Sequence, residues 1–143
     1  MKKERLRVLV IDDERAIGDS ISDTLKLEGC RIDVETDPVM GEKNLLTGSY
    51  DLVFLDIMMQ GRRGDEVLAA ARAAGIGAAI VMISAIDSIP EAIKCLKAGA
   101  DDYLLKPLDR GRLLAALKTT REKLEMRQSV AVFLETPSDQ PPE

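Results

Sequence analysis

Short runs of β-branched and aliphatic residues alternate with stretches whose apolar positions recur every three or four residues. RVLVID (7–12) is the first predicted strand. Ile17, Ile21, Thr24, Leu25 and Glu28 then mark an amphipathic helix closed by Gly29. RIDVET (31–36) alternates as a second strand. Asp37-Pro38 reads as a cap followed by Pro at the first helical position, and that helix carries Val39, Leu45 and Leu46 to its end near Gly48. YDLVFLD (50–56) is apolar almost throughout, the pattern of a strand covered on both faces. The loop IMMQGRRG leads to a helix with Val67, Leu68 and Ala71 that stops at Gly75. AAIVMIS (78–84) is the fourth strand. Ser88-Ile89-Pro90-Glu91 has capping-box spacing and opens a helix with Ala92, Ile93 and Leu96, closed by Gly99. DYLLK (102–106) is the fifth strand, and Asp109 caps a last helix through Leu113, Leu114, Leu117 and Leu124.

Strict strand–helix alternation predicts an α/β fold with a parallel sheet, and right-handed crossovers put helices on both of its faces. SVAVFLE (129–135) has no place in the alternation: it either packs back on the domain or begins something further. TPSDQPPE (136–143) is polar and Pro-rich and is expected to be a disordered tail. The division this implies is one domain over 1–126 and an extension, part linker and part tail, over 127–143.

Composition narrows the function classes. The 143 residues fit one domain, with 45% apolar and 31% charged residues as in globular chains. A net charge of -5 argues against direct nucleic-acid binding, as does the scarcity of stacking rings: two Phe, two Tyr and no Trp. Cys30 and Cys95 lack metal-type spacing and read as buried free thiols. MKKERLR has no signal-peptide pattern and no apolar run approaches a membrane span, so a cytoplasmic protein with no membrane contact is expected. The chain has no histidine. That excludes Ser-His-Asp and Cys-His nucleophile pairs and the usual zinc sites, and leaves carboxylates, Lys, hydroxyls and a hard metal ion.

The chemistry-bearing residues fall at the carboxyl ends of the strands, where open parallel sheets bind ligands. Asp12 and Asp13 end the first strand, Asp56 the third, Ser84 the fourth and Lys106 the fifth; Thr36 and Asp37 end an outer strand. Asp12, Asp13 and Glu14 taken alone suit either a helix cap or a cation site, since adjacent acids repel and raise one another's pKa. Three carboxylates converging with a hydroxyl and an ammonium favour the cation, and an oxygen-lined acidic pocket suits Mg²⁺. Asp56, alone at the end of the central strand, is placed to act as a nucleophile and become an aspartyl phosphate.

VLVIDDE, VFLDIMM, VMISA and AGADDYLLKPL make the chain resemble the receiver domain of two-component response regulators over about residues 5–126. The resemblance implies a flavodoxin-like, doubly wound five-stranded parallel sheet in the order 2-1-3-4-5. It makes Asp56 the phosphoacceptor. Mg²⁺ would be held by Asp12, Asp13, Asp56 and the backbone carbonyl of Met58. Ser84 and Lys106 would bind the phosphoryl group, Ser84 and Tyr103 would form the switch, and the Lys106–Pro107 bond would be cis. The implied partners are a sensor histidine kinase or phosphotransfer protein, and a second copy through the face made by the fourth helix, fifth strand and last helix. The protein would be a phosphoacceptor regulator, with catalysis confined to its own phosphorylation and dephosphorylation.

Two local features depart from the family pattern. Gln60 stands where the family usually has Pro, which predicts a looser loop over 57–64. Arg62 and Arg63 in that loop are read as solvated charges rather than as a pair that steers a phosphorylated partner. Competing readings are a degenerate receiver acting by constitutive binding and a haloacid-dehalogenase-type phosphatase. The latter class carries Asp-x-Asp at its nucleophile, whereas Asp56 is followed by IMM. A flavodoxin-like nucleotide binder ranks last, because no Gly-rich phosphate loop follows any strand. REKLEMRQ suits a linker or a dimer seam, and with SVAVFLE it leans toward a receiver piece of a longer protein rather than a stand-alone regulator.

Overall fold

A computed structural model describes residues 5–135. The chain runs β1 (Arg7–Ile11), α1 (Arg15–Lys26), β2 (Arg31–Glu35), α2 (Pro38–Thr47), β3 (Leu52–Asp56), α3 (Gly64–Ala73), β4 (Ala79–Ser84), α4 (Ile89–Lys97), β5 (Asp102–Leu105) and α5 (Arg110–Glu135). The strands form one parallel sheet in the order β2-β1-β3-β4-β5. No described helix is long and apolar enough to cross a membrane.

Alternation along the inner strands divides the core in two. Leu9, Ile11, Val53, Leu55, Ile80 and Met82 point to one face, where Leu45 of α2, Val67, Leu68 and Ala71 of α3 and Cys95 of α4 cover them. Val8, Val10, Phe54, Val81 and Ile83 point to the other, under Ile21 and Leu25 of α1 and Leu113 and Leu117 of α5. β3 and β4 are buried along their whole length, which is why their sequences are continuous apolar runs. Three helix starts carry side-chain caps: Asp37 accepts from Val39 and Met40 N–H, Ser88 from Glu91 N–H, and Asp109 from Arg112 N–H.

Three elements differ from the sequence expectation. In α4 the expected inward residues Ile93 and Leu96 are exposed with Ile89, and Cys95 turns inward instead. In α2, Val39 and Leu46 are exposed, and Pro38, Gly41 and Leu45 face the sheet. In α4 the small Cys95 is pressed against the strands and the larger apolar residues project outward, whereas α2 keeps Leu45 inward beside Pro38 and Gly41. SVAVFLE continues α5, with Val130, Phe133 and Leu134 exposed. The helix crosses residue 126 without a break, so the boundary placed there is not a break in structure. The expected disordered tail, 136–143, lies outside the described residues.

Candidate functional site

The ladder of parallel strands brings four strand ends to one edge. Asp12 follows β1, Asp56 ends β3, Ser84 ends β4 and Lys106 follows β5; Asp12, Asp56 and Ser84 are buried. Lys106 N–H donates to Ser84 carbonyl at 2.8 Å, continuing the β4–β5 ladder to the point where the side chains diverge. The Lys106–Pro107 peptide bond is cis. One oxygen each from Asp12, Asp13 and Asp56 lies within 4.8 Å of the others. Lys106 Nζ sits above them, 2.9 Å from Asp12 Oδ2 and 3.4 Å from Asp56 Oδ2, and 3.1 Å from Glu14 Oε1. Thr36 and Asp37 are elsewhere: Asp37 is occupied in capping α2.

The capping reading of the acidic run fails on geometry. Glu14 is the N-cap of α1 but makes no side-chain cap bond. Asp12 Oδ1 accepts only the neighbouring Glu14 N–H at 2.9 Å, and Asp13 Oδ2 accepts Gln60 N–H across the site at 3.3 Å. Asp12 Oδ2 is buried with no hydrogen-bond donor among the described residues; Lys106 Nζ is close enough to pair with it but not aligned to donate. One ammonium cannot balance three clustered carboxylates, and a bound cation would relieve the remaining repulsion. The donor set is all oxygen and clustered, as a hard divalent cation requires.

Electrostatics follow from this crowding. The Asp56 carboxyl is pushed up to about 7, first by burial and then by the charge of Asp12, with Lys106 opposing. Burial also works against the Lys106 charge, but the carboxylates of Asp12, Glu14 and Asp56 outweigh it and its pKa is raised. Three clustered carboxylates face one ammonium, so the metal-free site carries an excess of negative charge.

Ser84 and Tyr103 share a partner. Ile86 N–H donates to Ser84 Oγ at 3.0 Å, and Tyr103 Oη donates to Ile86 carbonyl at 3.0 Å. Ser84 and Tyr103 thus hold the loop after β4 from its two sides, with the half-buried Tyr103 ring packed on the core. Met58 is exposed beside Asp56, and its sulfur accepts from Arg63 Nη1 at 3.3 Å.

The β3–α3 loop corrects two expectations. Arg62 and Arg63 are not free solvated charges. Arg62 makes a two-pronged pair with Glu42 of α2 at 2.7 and 3.1 Å. Arg63 pairs with Asp65 at 3.0 Å and reaches Glu91 of α4 at 4.0 Å. With Gln60 N–H on Asp13, these contacts tie down a loop that the absence of Pro predicts to be loose. Position 60 donates a hydrogen bond that Pro could not make.

Gly64 was not singled out by sequence reasoning. A Cβ there would lie 2.0 Å from the Asp56 carbonyl oxygen, so only glycine lets α3 start against the end of β3. Its signal was available: glycine at a first helical position, just after a strand end, marks a close backbone approach. The hold of Glu14 on Lys106 was also missed, being a contact between residues 92 positions apart.

Residues 8–118 match the family described as response regulator receiver domain. The transcriptional regulatory protein DltR of Streptococcus agalactiae is 39% identical over 124 residues, which cover 87% of this chain and 53% of that protein. A solved receiver domain protein (CheY-like) from Methanospirillum hungatei JF-1 superimposes with a TM-score of 0.81 at 27% identity, covering 87% of this chain and 99% of that one. The beryllofluoride-activated NtrC4 receiver domain, solved as a dimer, gives a TM-score of 0.77 at 29% identity over 82% of this chain and 97% of its own. The chain belongs to the response-regulator receiver family, and its fold is the five-stranded receiver fold. It spans about half the length of curated relatives such as DltR.

Proposed function

We propose that this chain is a phosphorylation-switched regulator that takes a phosphoryl group onto Asp56 from a sensor histidine kinase or phosphotransfer protein. The observation that carries this reading is the meeting of Asp12, Asp13 and Asp56 at one sheet edge, three clustered carboxylates with the single Lys106 ammonium among them. The donor histidine lies outside this sequence, which contains none. Asp12, Asp13, Asp56 and the Met58 carbonyl would hold Mg²⁺, which when bound neutralises charge on the phosphoryl oxygens.

The remaining steps belong to the chain's own residues. An Asp56 oxygen forms a P–O bond as the donor's P–N bond breaks, and the imidazole departs with that electron pair. Lys106 pivots from Glu14 toward the new anionic oxygens, which compete better for its charge than an exposed glutamate. The Ser84 hydroxyl turns to donate to a phosphoryl oxygen and gives up the Ile86 N–H it accepts. The clasp on Ile86 then loosens, and Tyr103 is released to move inward. Hydrolysis of the acyl phosphate by water resets the site, and no other substrate is turned over.

The output face is that of α4, β5 and α5, where Ile89, Ile93, Leu96 and Leu105 are exposed. A second copy binding there fits the dimeric state in which the activated NtrC4 receiver was solved. The test is a titration with beryllium fluoride and Mg²⁺ on a Tyr50→Phe background, in which Tyr103 is the only tyrosine and no Trp interferes. The expected result is a saturable change in Tyr103 emission that needs both reagents and is absent in Asp56→Asn. Binding without a tyrosine response would remove the switch and leave the acceptor. No binding at all would remove both, and steady turnover of a generic phosphate ester would point to a phosphatase instead.

A further inference from the structure

At the amino ends of the strands, the pole opposite Asp56, a cleft of about 410 Å³ opens where β2 begins at the edge of the sheet. Arg5, Lys26, Arg31, Ile32 and Asp33 line it. Its three cations make no ion pair among the described residues, in a chain whose net charge is -5. The nearby acids are engaged: Asp33 accepts the Tyr50 hydroxyl at 2.6 Å, and Glu28 lies 3.7 Å from Arg110. Sheet register adds to the crowding. Arg31 is the cross-strand partner of Arg7, which sets two like charges side by side. Arg7 lies over the Tyr50 ring at 5.1 Å, whereas Arg31 has no such outlet among the described residues. Lys26 complements the C-terminal dipole of α1, but Arg5 and Arg31 lie outside that helix and bring charge beyond this need. A backbone donor joins them. Arg31 N–H is spent on the Leu6 carbonyl, so by strand alternation Ile32 N–H faces the unpaired edge of β2.

We infer that this cleft is a binding site for a free phosphoanion of several charges, a di- or triphosphate chain. Three cations against one acid leave positive charge that a multiply charged anion neutralises. The two guanidinium groups supply the forked N–H pairs that match phosphate oxygens, and Lys26 adds a point charge. Ile32 N–H adds a neutral donor fixed by the sheet. The volume is that of a small-ligand site. No aromatic side chain is among the described residues lining the cleft, so nothing there stacks a nucleoside base, and the part recognised is the phosphate chain itself. The acceptor site does not compete for such an anion, because without Mg²⁺ its three clustered carboxylates repel it. The two sites lie at opposite ends of the strands, so this inference stands apart from the phosphoacceptor reading.

The experiment titrates the full 143-residue chain with sodium tripolyphosphate in a calorimeter, without Mg²⁺, and follows backbone amides by NMR in the same mixture. Saturable binding with a dissociation constant below about 1 mM is expected, with the Arg31 and Ile32 amides among those that shift. Arg5→Glu and Arg31→Glu should each weaken binding at least about tenfold. Lys118→Glu makes the same charge change at an exposed α5 residue that has no ion pair among the described residues, and should alter binding by less than about twofold. Arg5 and Arg31 are exposed, so their variants should fold, and urea unfolding of each checks that the loss is one of binding. ATP without Mg²⁺ should bind within about threefold of tripolyphosphate. A larger preference for the nucleotide would overturn the assignment to the phosphate chain. No binding at about 10 mM tripolyphosphate, equal weakening by Lys118→Glu, or binding that leaves the Ile32 amide unshifted would overturn the site.

Discussion

Asp56→Asn should stabilise the metal-free protein at alkaline pH and flatten its pH profile. In the folded chain Asp56 is 2% exposed and its carboxyl is pushed up to about 7 by burial and then by Asp12. In the unfolded chain it titrates at about 4. Between those values the folded state holds a proton that the unfolded state has released. A raised acid pKa therefore contributes stability that is full below about pH 4 and is lost as pH climbs through about 7. Three units of displacement correspond to about 4 kcal/mol as a ceiling. Between pH 5 and pH 8 that ceiling is about 2.6 kcal/mol, and because Asp56 titrates jointly with Asp12 and Lys106 is drawn closer as the charge appears, about 1–2.5 kcal/mol is the expected loss. Asparagine keeps the shape and cannot ionise. Urea unfolding in the presence of a chelator measures both proteins across this window. Wild type should lose that amount, Asp56→Asn less than half of it, and the variant should be the more stable at pH 8. Saturating Mg²⁺ at pH 8 should restore wild type far more than the variant. Parallel profiles for the two proteins would refute the reasoning, because the buried charge would then carry no cost.

Two further substitutions test the scaffold around the site. Gly64→Ala places a Cβ against the backbone of Asp56 and Ile57, which cannot yield as a side chain would, so a loss of about 1–3 kcal/mol in urea unfolding is expected together with weaker beryllium fluoride binding. Arg72 donates to the carbonyls of Gly99, Ile76 and Ala78 and to Asp101, joining α3, the start of β4 and the turn before β5; Arg72→Met removes the side-chain donor from those three part-buried carbonyls, while Asp101 keeps Ile80 N–H and Lys123, and should cost about 2–3 kcal/mol, with unchanged Mg²⁺ affinity where the variant remains folded.

What the sequence discloses here follows from the range of the physics. Strands β1, β3 and β4 are legible because burial on both faces forces continuous apolar runs, and helix starts are legible because caps are local bonds. The site is legible for a related reason: parallel strands deliver their ends to one edge, so Asp12, Asp56, Ser84 and Lys106 converge wherever the alternation holds. Alternation alone fixes a parallel sheet and not its order; 2-1-3-4-5 came with the family resemblance. Periodicity marks a stripe but not which stripe faces inward. α4 carries two, and the smaller residue, Cys95, faces the sheet while Ile89, Ile93 and Leu96 face out. Contacts between distant positions left no local signal, among them Arg62 on Glu42, Gln60 on Asp13 and Glu14 on Lys106.

The central claim is that Asp56 accepts a phosphoryl group with the help of a cation held by its neighbours. Intact mass after incubation with a small phosphoryl donor, with and without Mg²⁺, tests it most directly in wild type and Asp56→Asn. The account predicts one added phosphoryl group in wild type, dependent on Mg²⁺ and absent in the variant. An adduct that forms without Mg²⁺ or survives in Asp56→Asn, or no adduct on a folded wild-type protein, would contradict it.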